Sequence, residues 1–170
     1  MLELLREFYR DKLAERTRHV ANARVVADYD FNNTYQYVIA REETHVTWLQ
    51  AALAEYGVAL PPPSRTLEVP AIVNRGRKIV NRGRKTEPSS FSGILEDDAR
   101  GLAAFVDQWR PRVKTMTHAR HRLMLEVILG ESIEHQRLFE QAASGLEDVL
   151  GRRTGGVARQ GAVLPTRWME

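Results

Sequence analysis

One row of side chains constrains the fold of this chain more than any other feature. It lies between residues 31 and 56, and its members recur at alternating intervals of four and three, which is an α-helical period. The row consists of Phe31, Tyr35, Val38, Glu42, His45, Leu49, Ala52 and Tyr56. A carboxylate and an imidazole interrupt its otherwise apolar face. Because a buried, unpaired carboxylate is costly, the row predicts an amphipathic helix with a polar site that needs partners on other helices.

Three more helices of similar length are predicted from the rest of the chain. Residues 3 to about 28 contain no proline or glycine, and their apolar groups follow a helical period. Those groups are Leu2, Leu5, Tyr9, Leu13, Val20 and Ala23. The turn-forming run from Tyr29 to Thr34 predicts a short loop before helix 2, which should end near Tyr56 and Gly57.

The second half of the chain predicts a second helical hairpin. Helix 3 should begin near Leu95 and be disturbed at its end by Pro111, and helix 4 should run from about Thr117 to Gly145. The predicted inner face of helix 3 consists of Leu95, Asp98, Leu102, Phe105 and Trp109. The predicted inner face of helix 4 consists of Met124, Ile128, Glu131, His135, Leu138 and Ala142.

Residues 58–94 read as a long connection, rich in proline, glycine and serine. Two antiparallel helical hairpins joined in this way match a bundle with one crossover, in which helices 2 and 3 run parallel. A helix of about 25 residues is roughly 38 Å long, which the connection can span. The sequence thus predicts an all-α four-helix bundle over residues 1–147, with residues 148–170 as an extended tail. A simple up-down bundle with a loose excursion is the alternative.

The chain has no cysteine, which excludes disulfides and thiolate-bound zinc or iron. A metal would have to be held by carboxylates and imidazoles. The first residues lack the apolar run of a signal peptide, and no stretch is apolar enough to span a membrane. A cytoplasmic location is therefore expected.

The ionisable groups of the inner faces are predicted to meet near the middle of the bundle. Residues equidistant from a hairpin turn lie at one level, which places Glu42 opposite residues 15–19 and Glu131 opposite Asp98. The predicted cluster consists of Glu42, His45, Asp98, Glu131 and His135, with Glu15 or His19 from helix 1. Carboxylates that bridge two divalent ions, with imidazoles completing each coordination shell, are one use of such a cluster.

Two segments carry a resemblance to a known family. The segment from Arg41 to Leu49, Arg-Glu-Glu-Thr-His-Val-Thr-Trp-Leu, resembles the Glu-x-x-His motif of the second helix in small rubrerythrin-like members of the ferritin-like superfamily. The segment from Gly130 to His135 resembles the motif of the fourth helix, and the resemblance covers residues 3–57 and 95–147. It implies two bound iron ions, or manganese, and oxidoreductase chemistry with dioxygen or peroxide. Without cysteine, such an enzyme would need an external electron donor.

The sequence departs from this pattern at two places. Ser132 occupies the position of the helix 4 glutamate, and Arg16, flanked by Lys12, lies in the inner arc of helix 1. A cation there opposes metal binding, so a metal-free network in which Arg16 neutralises Glu42 and Glu131 is the alternative. The nearby ionisable groups are expected outside the cluster. Glu43 and Glu134 should be solvated neighbours, and His118 and His121 surface or capping groups.

Residues 72–78 and 79–85 are an identical repeat of seven residues, Ile-Val-Asn-Arg-Gly-Arg-Lys. A tandem duplication in a tolerant loop explains it, and so does a strip that binds an anionic partner or nucleic acid. The strip would consist of Arg75, Arg77, Lys78, Arg82, Arg84 and Lys85. The glycine-rich tail could dock on a neighbouring subunit of a homo-oligomer or on a larger partner, or it could be a frayed terminus.

Overall fold

A computed structural model describes residues 1–58, 91–146 and 148–151, which form four α-helices. These are α1 (Leu2–Val25), α2 (Tyr29–Ala54), α3 (Ser92–Lys114) and α4 (Ala119–Ala143). No strand lies among the described residues, so the predicted all-α class with four helices is confirmed. Within the same residues, none of the helices combines the length and the apolar character that crossing a bilayer requires.

Side-chain contacts fix the directions of the helices. Tyr9 of α1 meets Gln50 of α2, and Ala23 near the other end of α1 meets Asn32, so these two helices are antiparallel. Glu7 of α1 pairs with Arg112 of α3, and Asn22 pairs with Asp98, so α1 and α3 are also antiparallel. It follows that α2 and α3 run in the same direction. The predicted connection between them, apart from its first residue and its last four, lies outside the described residues.

The connection between α1 and α2 is shorter than the sequence predicts. The run from Tyr29 to Thr34, predicted to be a loop, is already the first turn and a half of α2. Asp28 caps the helix, because its side chain accepts hydrogen bonds from the backbone amides of Asp30 and Phe31. The Asn32 side chain donates to the last carbonyls of α1, at Ala23 and Val26. The turn-forming residues therefore close both helix ends instead of forming a loop.

The core consists of two apolar clusters separated by a polar layer. One cluster contains Leu5, Phe8, Leu49, Trp109 and Leu125 among others, and the second contains Phe31, Tyr35, Leu95, Leu102 and Phe139 among others. Between them three helices bury six polar side chains, whereas α3 crosses the layer with Leu102 and Phe105. The six are Lys12 and His19 of α1, Glu42 and His45 of α2, and Ser132 and His135 of α4.

Two helices bury a face that differs from the prediction. α1 buries Leu5, Phe8, Lys12, His19 and Ala23, whereas the predicted Tyr9 and Leu13 are half-buried. α4 buries Leu125, Ile128, Ser132, His135 and Phe139, which leaves the predicted Met124, Glu131 and Leu138 half-buried at the edge. In both cases the buried face is rotated by roughly 60° from the predicted one, so that it keeps some of the predicted residues and replaces others.

Candidate functional site

The centre of the polar layer is an ion pair between Lys12 and Glu42. The Lys12 Nζ donates to Glu42 Oε1 at 2.7 Å, and both side chains are completely buried. The same ammonium lies 3.4 Å from the Ser132 hydroxyl and 5.3 Å from the centre of the Phe105 ring. Burial opposes ionisation of Glu42, but Lys12 and His19 outweigh it and hold the pKa of Glu42 below its usual range.

His19 donates a hydrogen bond to the second oxygen of the same carboxylate. Its Nδ1 lies 2.8 Å from Glu42 Oε2, and because a carboxylate oxygen can only accept, the ring donates from Nδ1. The other nitrogen, Nε2, lies 3.9 Å from Asp98 Oδ1 and has no hydrogen-bond partner in the part of the chain that the structure describes. His19 therefore has one ring nitrogen held by Glu42 and one buried nitrogen left over.

Asp98, one helical turn before Leu102, is the anion of a separate network. It is fully buried and accepts hydrogen bonds from Arg18 Nε at 2.9 Å, from the Asn22 amide and from the Tyr35 hydroxyl. Burial and the neighbouring Asp98 carboxylate raise the pKa of Tyr35 far above its ordinary value, so the phenol stays protonated and donates. The oxygens of Asp98 are thus engaged away from Glu131, which it was predicted to face.

Gly101 gives Arg18 the room to reach Asp98. A Cβ atom at Gly101 would lie 2.1 Å from the Arg18 guanidinium, whereas one at Gly130 of α4 would meet nothing within 4 Å. Replacing glycine by alanine inside a helix normally stabilises a protein by about 0.5–1 kcal/mol.

We expect Gly130→Ala to raise the free energy of unfolding by that amount. Gly101→Ala should fall short of that gain by about 1 kcal/mol, because the far end of the Arg18 side chain has to shift and its hydrogen bond to the buried Asp98 weakens. Urea unfolding followed by circular dichroism measures both variants. Equal stabilisation by the two alanines would show that Arg18 is not needed beside Asp98.

Glu131 forms a third group, at the rim of the layer. It accepts a hydrogen bond from Arg41 Nε at 3.0 Å and a second, shorter one from the same guanidinium, and it lies 2.8 Å from His45 Nε2. Partial burial would raise the pKa of Glu131, but Arg41 and His45 lower it overall. The hydrogen bond to Glu131 in turn raises the pKa of Arg41. Since the carboxylate can only accept, His45 donates from Nε2 and its Nδ1 carries the lone pair.

Two neighbouring imidazoles have buried nitrogens without partners. His45 Nδ1 and both ring nitrogens of His135 make no hydrogen bond to any described residue, although both side chains are completely buried. The two rings are stacked, with centroids 6.1 Å apart. Burial, reinforced by Lys12, lowers the pKa of His45 to about 4 and that of His135 to about 3. Both rings are therefore neutral at pH 7 and offer lone pairs.

The structure brings together four of the seven predicted metal ligands, and arginines bind the other three. His19, Glu42, His45 and His135 lie in the layer, Glu131 lies at its rim, and Asp98 belongs to the network with Tyr35. Glu15 bonds to Arg18 on its own helix at 2.5 Å, and its burial raises its pKa. Within residues 1–58, 91–146 and 148–151, no three histidine or acidic side chains are already arranged as ligands around one point.

The role that the metal-free alternative gives to Arg16, as counter-ion of Glu42 and Glu131, is wrong. Arg16 pairs with the exposed Glu43 at 2.6 Å, and the counter-ions of Glu42 and Glu131 are Lys12 and Arg41. The error follows from the rotated face of α1, because the predicted arc centred on Arg16 while the observed one contains Lys12. The spacing of Leu5, Phe8 and Lys12, three and then four, carried the signal for the observed face.

The remaining predictions for single residues have mixed outcomes. Glu43 and Glu134 are exposed, as predicted, and His118 caps α4 by accepting from the backbone amide of His121. The prediction for His121 is wrong, because this side chain is buried at the end of the bundle. There it lies 3.2 Å from Glu55 and 3.5 Å from the Tyr56 hydroxyl.

Comparison with protein-family models, with curated proteins and with solved structures gives no significant match to this chain. The functional argument therefore depends on the geometry of the polar layer.

Proposed function

We propose that this chain is a metal-binding bundle of the ferritin-like type that holds one divalent transition-metal ion in its polar layer. The observation that carries the proposal is His135, which is fully buried and has no hydrogen-bond partner at either ring nitrogen among the described residues. Leaving buried polar atoms unpaired costs roughly 1–3 kcal/mol each, so native proteins give them a partner such as a metal or an ordered water. The orphaned Nδ1 of neighbouring His45 supports the same conclusion.

The residues that would hold the ion are Glu42, His45 and His135. Two imidazoles and one carboxylate are a ligand set that suits iron(II) and also accepts zinc, manganese or cobalt. His45 already has the support of a typical ligand, because its Nε2 donates to a carboxylate while its Nδ1 lone pair is free. Glu131, held by Arg41, would thus orient His45 without binding the ion itself.

The chemistry that such an ion supplies when bound is a one-electron redox couple with open positions for dioxygen or peroxide. The chain's own residues provide the setting. The apolar clusters on both sides of the layer keep bulk water away, and Lys12 balances the charge of Glu42. An oxidoreductase activity with an external electron donor remains a prediction from the resemblance. The antiparallel pairs α1–α2 and α1–α3, with α2 parallel to α3, support the ferritin-like assignment of the fold.

Metal analysis tests the proposal directly. After incubation with Fe²⁺ without oxygen, or with Co²⁺, and removal of free ions, the wild type should retain about one equivalent. His135→Leu should retain less than about 0.2 equivalents, because it removes a ligand. Glu131→Gln should weaken binding by roughly 10- to 100-fold through His45. The matched control is Glu134→Gln, an exposed neighbour on α4, which should bind like the wild type.

A wild type that retains less than about 0.2 equivalents would instead favour a metal-free scaffold. One observation supports that second candidate, since Lys12 already neutralises Glu42 without any ion. In that case ordered water would satisfy His45 and His135. The scaffold would act through an anionic partner at the basic repeat of residues 72–85. This repeat and most of the tail lie outside the described residues, so both predictions stay open.

A further inference from the structure

We infer that Lys12 sets the number of ions this centre can hold, its ammonium taking the place of a second ion. The inference rests on the proposed one-ion function. The first step is the position of the ammonium, which hydrogen-bonds to Glu42 and to the Ser132 hydroxyl, with all three side chains fully buried. Lys12 thus occupies the space between α2 and α4. Carboxylates that bridge two ions would have to lie in this space.

The second step is the matched spacing of α2 and α4. Glu42 lies three residues before His45, and Ser132 lies three residues before His135, so both helices present the same pattern toward the layer. α2 supplies a carboxylate at the first position, and α4 supplies only a hydroxyl. The ammonium touches both first positions at once. A second ion at that place would lack the carboxylate of α4 that carboxylate-bridged pairs of ions require.

The third step is charge. Glu42 carries one negative charge in the buried layer, and Lys12 matches it with one positive charge. A second divalent ion at the place where Lys12 meets Glu42 and Ser132 would add two positive charges there, and the one carboxylate at that place is already neutralised by the ammonium. α3 cannot compensate, because it crosses the layer with Leu102 and Phe105 and its Asp98 is engaged by Arg18 and Asn22.

The test is a count of bound ions in variants that reverse this arrangement. Lys12→Met combined with Ser132→Glu removes one positive charge and adds one negative charge. It thus lowers the charge of the layer by two, which one divalent ion balances, and it gives α4 a Glu-x-x-His motif. Equilibrium dialysis against Co²⁺, with cobalt counted by mass spectrometry, should give one equivalent for the wild type and two for this variant. Lys12→Met alone serves as the second variant and should bind a second ion at least tenfold more weakly.

Arg16→Met is the matched control, because it removes a cation of the same helix that pairs at the surface, and it should keep one equivalent. His118→Ala corrects for ions bound by the stacked His118 and His121 at the end of α4. A double variant that is unfolded without cobalt and folds on taking up two equivalents supports the inference equally.

Each remaining outcome separates the two proposals. A wild type without cobalt overturns the proposed function and the inference together. A wild type with two equivalents, or a double variant that stays at one or stays unfolded at saturating cobalt, overturns the inference alone.

Discussion

Lys12→Met should lower the free energy of unfolding of the metal-free protein by about 3–5 kcal/mol. Methionine fills a similar volume, so the change removes the charge and leaves most of the packing. Glu42 then remains buried, and among the residues with a described position His19 is its one remaining hydrogen-bond donor. Removing one partner of a buried ion pair is costly because the remaining charge has neither water nor a counter-ion. Urea unfolding at pH 7 in the presence of a chelator, followed by circular dichroism, measures the effect.

The control for this prediction is Arg16→Met, one helical turn further along α1. Arg16 pairs with Glu43, whose side chain is 57% exposed, so its loss should cost less than about 1 kcal/mol. Lys12→Met/Glu42→Gln should regain at least about 2 kcal/mol relative to Lys12→Met, because no charge is left unpaired. If Lys12→Met lowers the free energy of unfolding no more than Arg16→Met does, the ion pair between Lys12 and Glu42 does not stabilise the polar layer.

Acidification of the chelated protein should destabilise it well before its carboxylates are protonated. His45 and His135 have folded pKa values of about 4 and 3, below the ordinary value of 6.5. Between those values the unfolded chain binds protons that the folded protein does not, so stability falls as the pH decreases. We expect a loss on the order of 3 kcal/mol from each histidine between pH 6.5 and pH 4. The lowered pKa of Glu42 adds a further loss below about pH 4.

The pH dependence of stability distinguishes the titration of His135 from a change in packing around it. His135→Leu should remove the contribution of this histidine to the pH dependence of stability. Between pH 6.5 and pH 4 the free energy of unfolding of the variant should therefore fall by roughly 3 kcal/mol less than that of the wild type. Phe139→Leu, one turn further along the same buried face of α4, changes packing without removing a titratable group and should keep the wild-type slope. Urea midpoints at pH 7, 6, 5 and 4 give the comparison. Identical slopes for the wild type and His135→Leu would contradict a neutral, buried His135.

The helices and half of the site were predictable because their evidence lies in periodic spacing. The row from Phe31 to Tyr56 identified α2 and placed Glu42 and His45 on its buried face, where both are found. His135 was identified by the same reasoning on α4. Spacing works for these residues because a helix presents every third or fourth side chain to the same neighbour.

The role of Lys12 as the buried counter-ion of Glu42 could not be predicted from the sequence, and the reason is physical. A lysine near an apolar face is usually half-exposed, its hydrocarbon stem covering the surface while its ammonium reaches water. On α1 the predicted face has six apolar residues, whereas the buried face has three, together with Lys12 and His19, so apolar spacing favours the wrong face. The choice between them depends on Glu42 and Ser132, which come from other helices. Single-helix periodicity contains no information about such partners.

The start of α2 shows a different limit. Asp28, Asp30 and Asn32 favour turns and helix caps through the same short hydrogen bonds to nearby backbone, so composition cannot distinguish the two uses. The positions of Asp98 and Glu131 show a third limit. Both lie on or beside buried faces, yet Arg18 and Arg41 draw them into separate networks. The arginine side chains on neighbouring helices determine the direction of these carboxylates. The periodic spacing of residues on one helix does not show which carboxylate a long arginine side chain will contact.

The polar layer also solves a problem of alignment. Two helices that touch only through leucine and phenylalanine can slide past each other by a turn at little cost, because dispersion and the hydrophobic effect have almost no direction. Lys12 and Glu42 remove that freedom, since a displaced α1 would carry an ammonium into one of the apolar clusters and leave a carboxylate behind. A single buried polar contact is known to fix the register of packed helices in this way. The ion pair therefore favours the arrangement in which Lys12 meets Glu42 over any in which α1 is displaced along its axis.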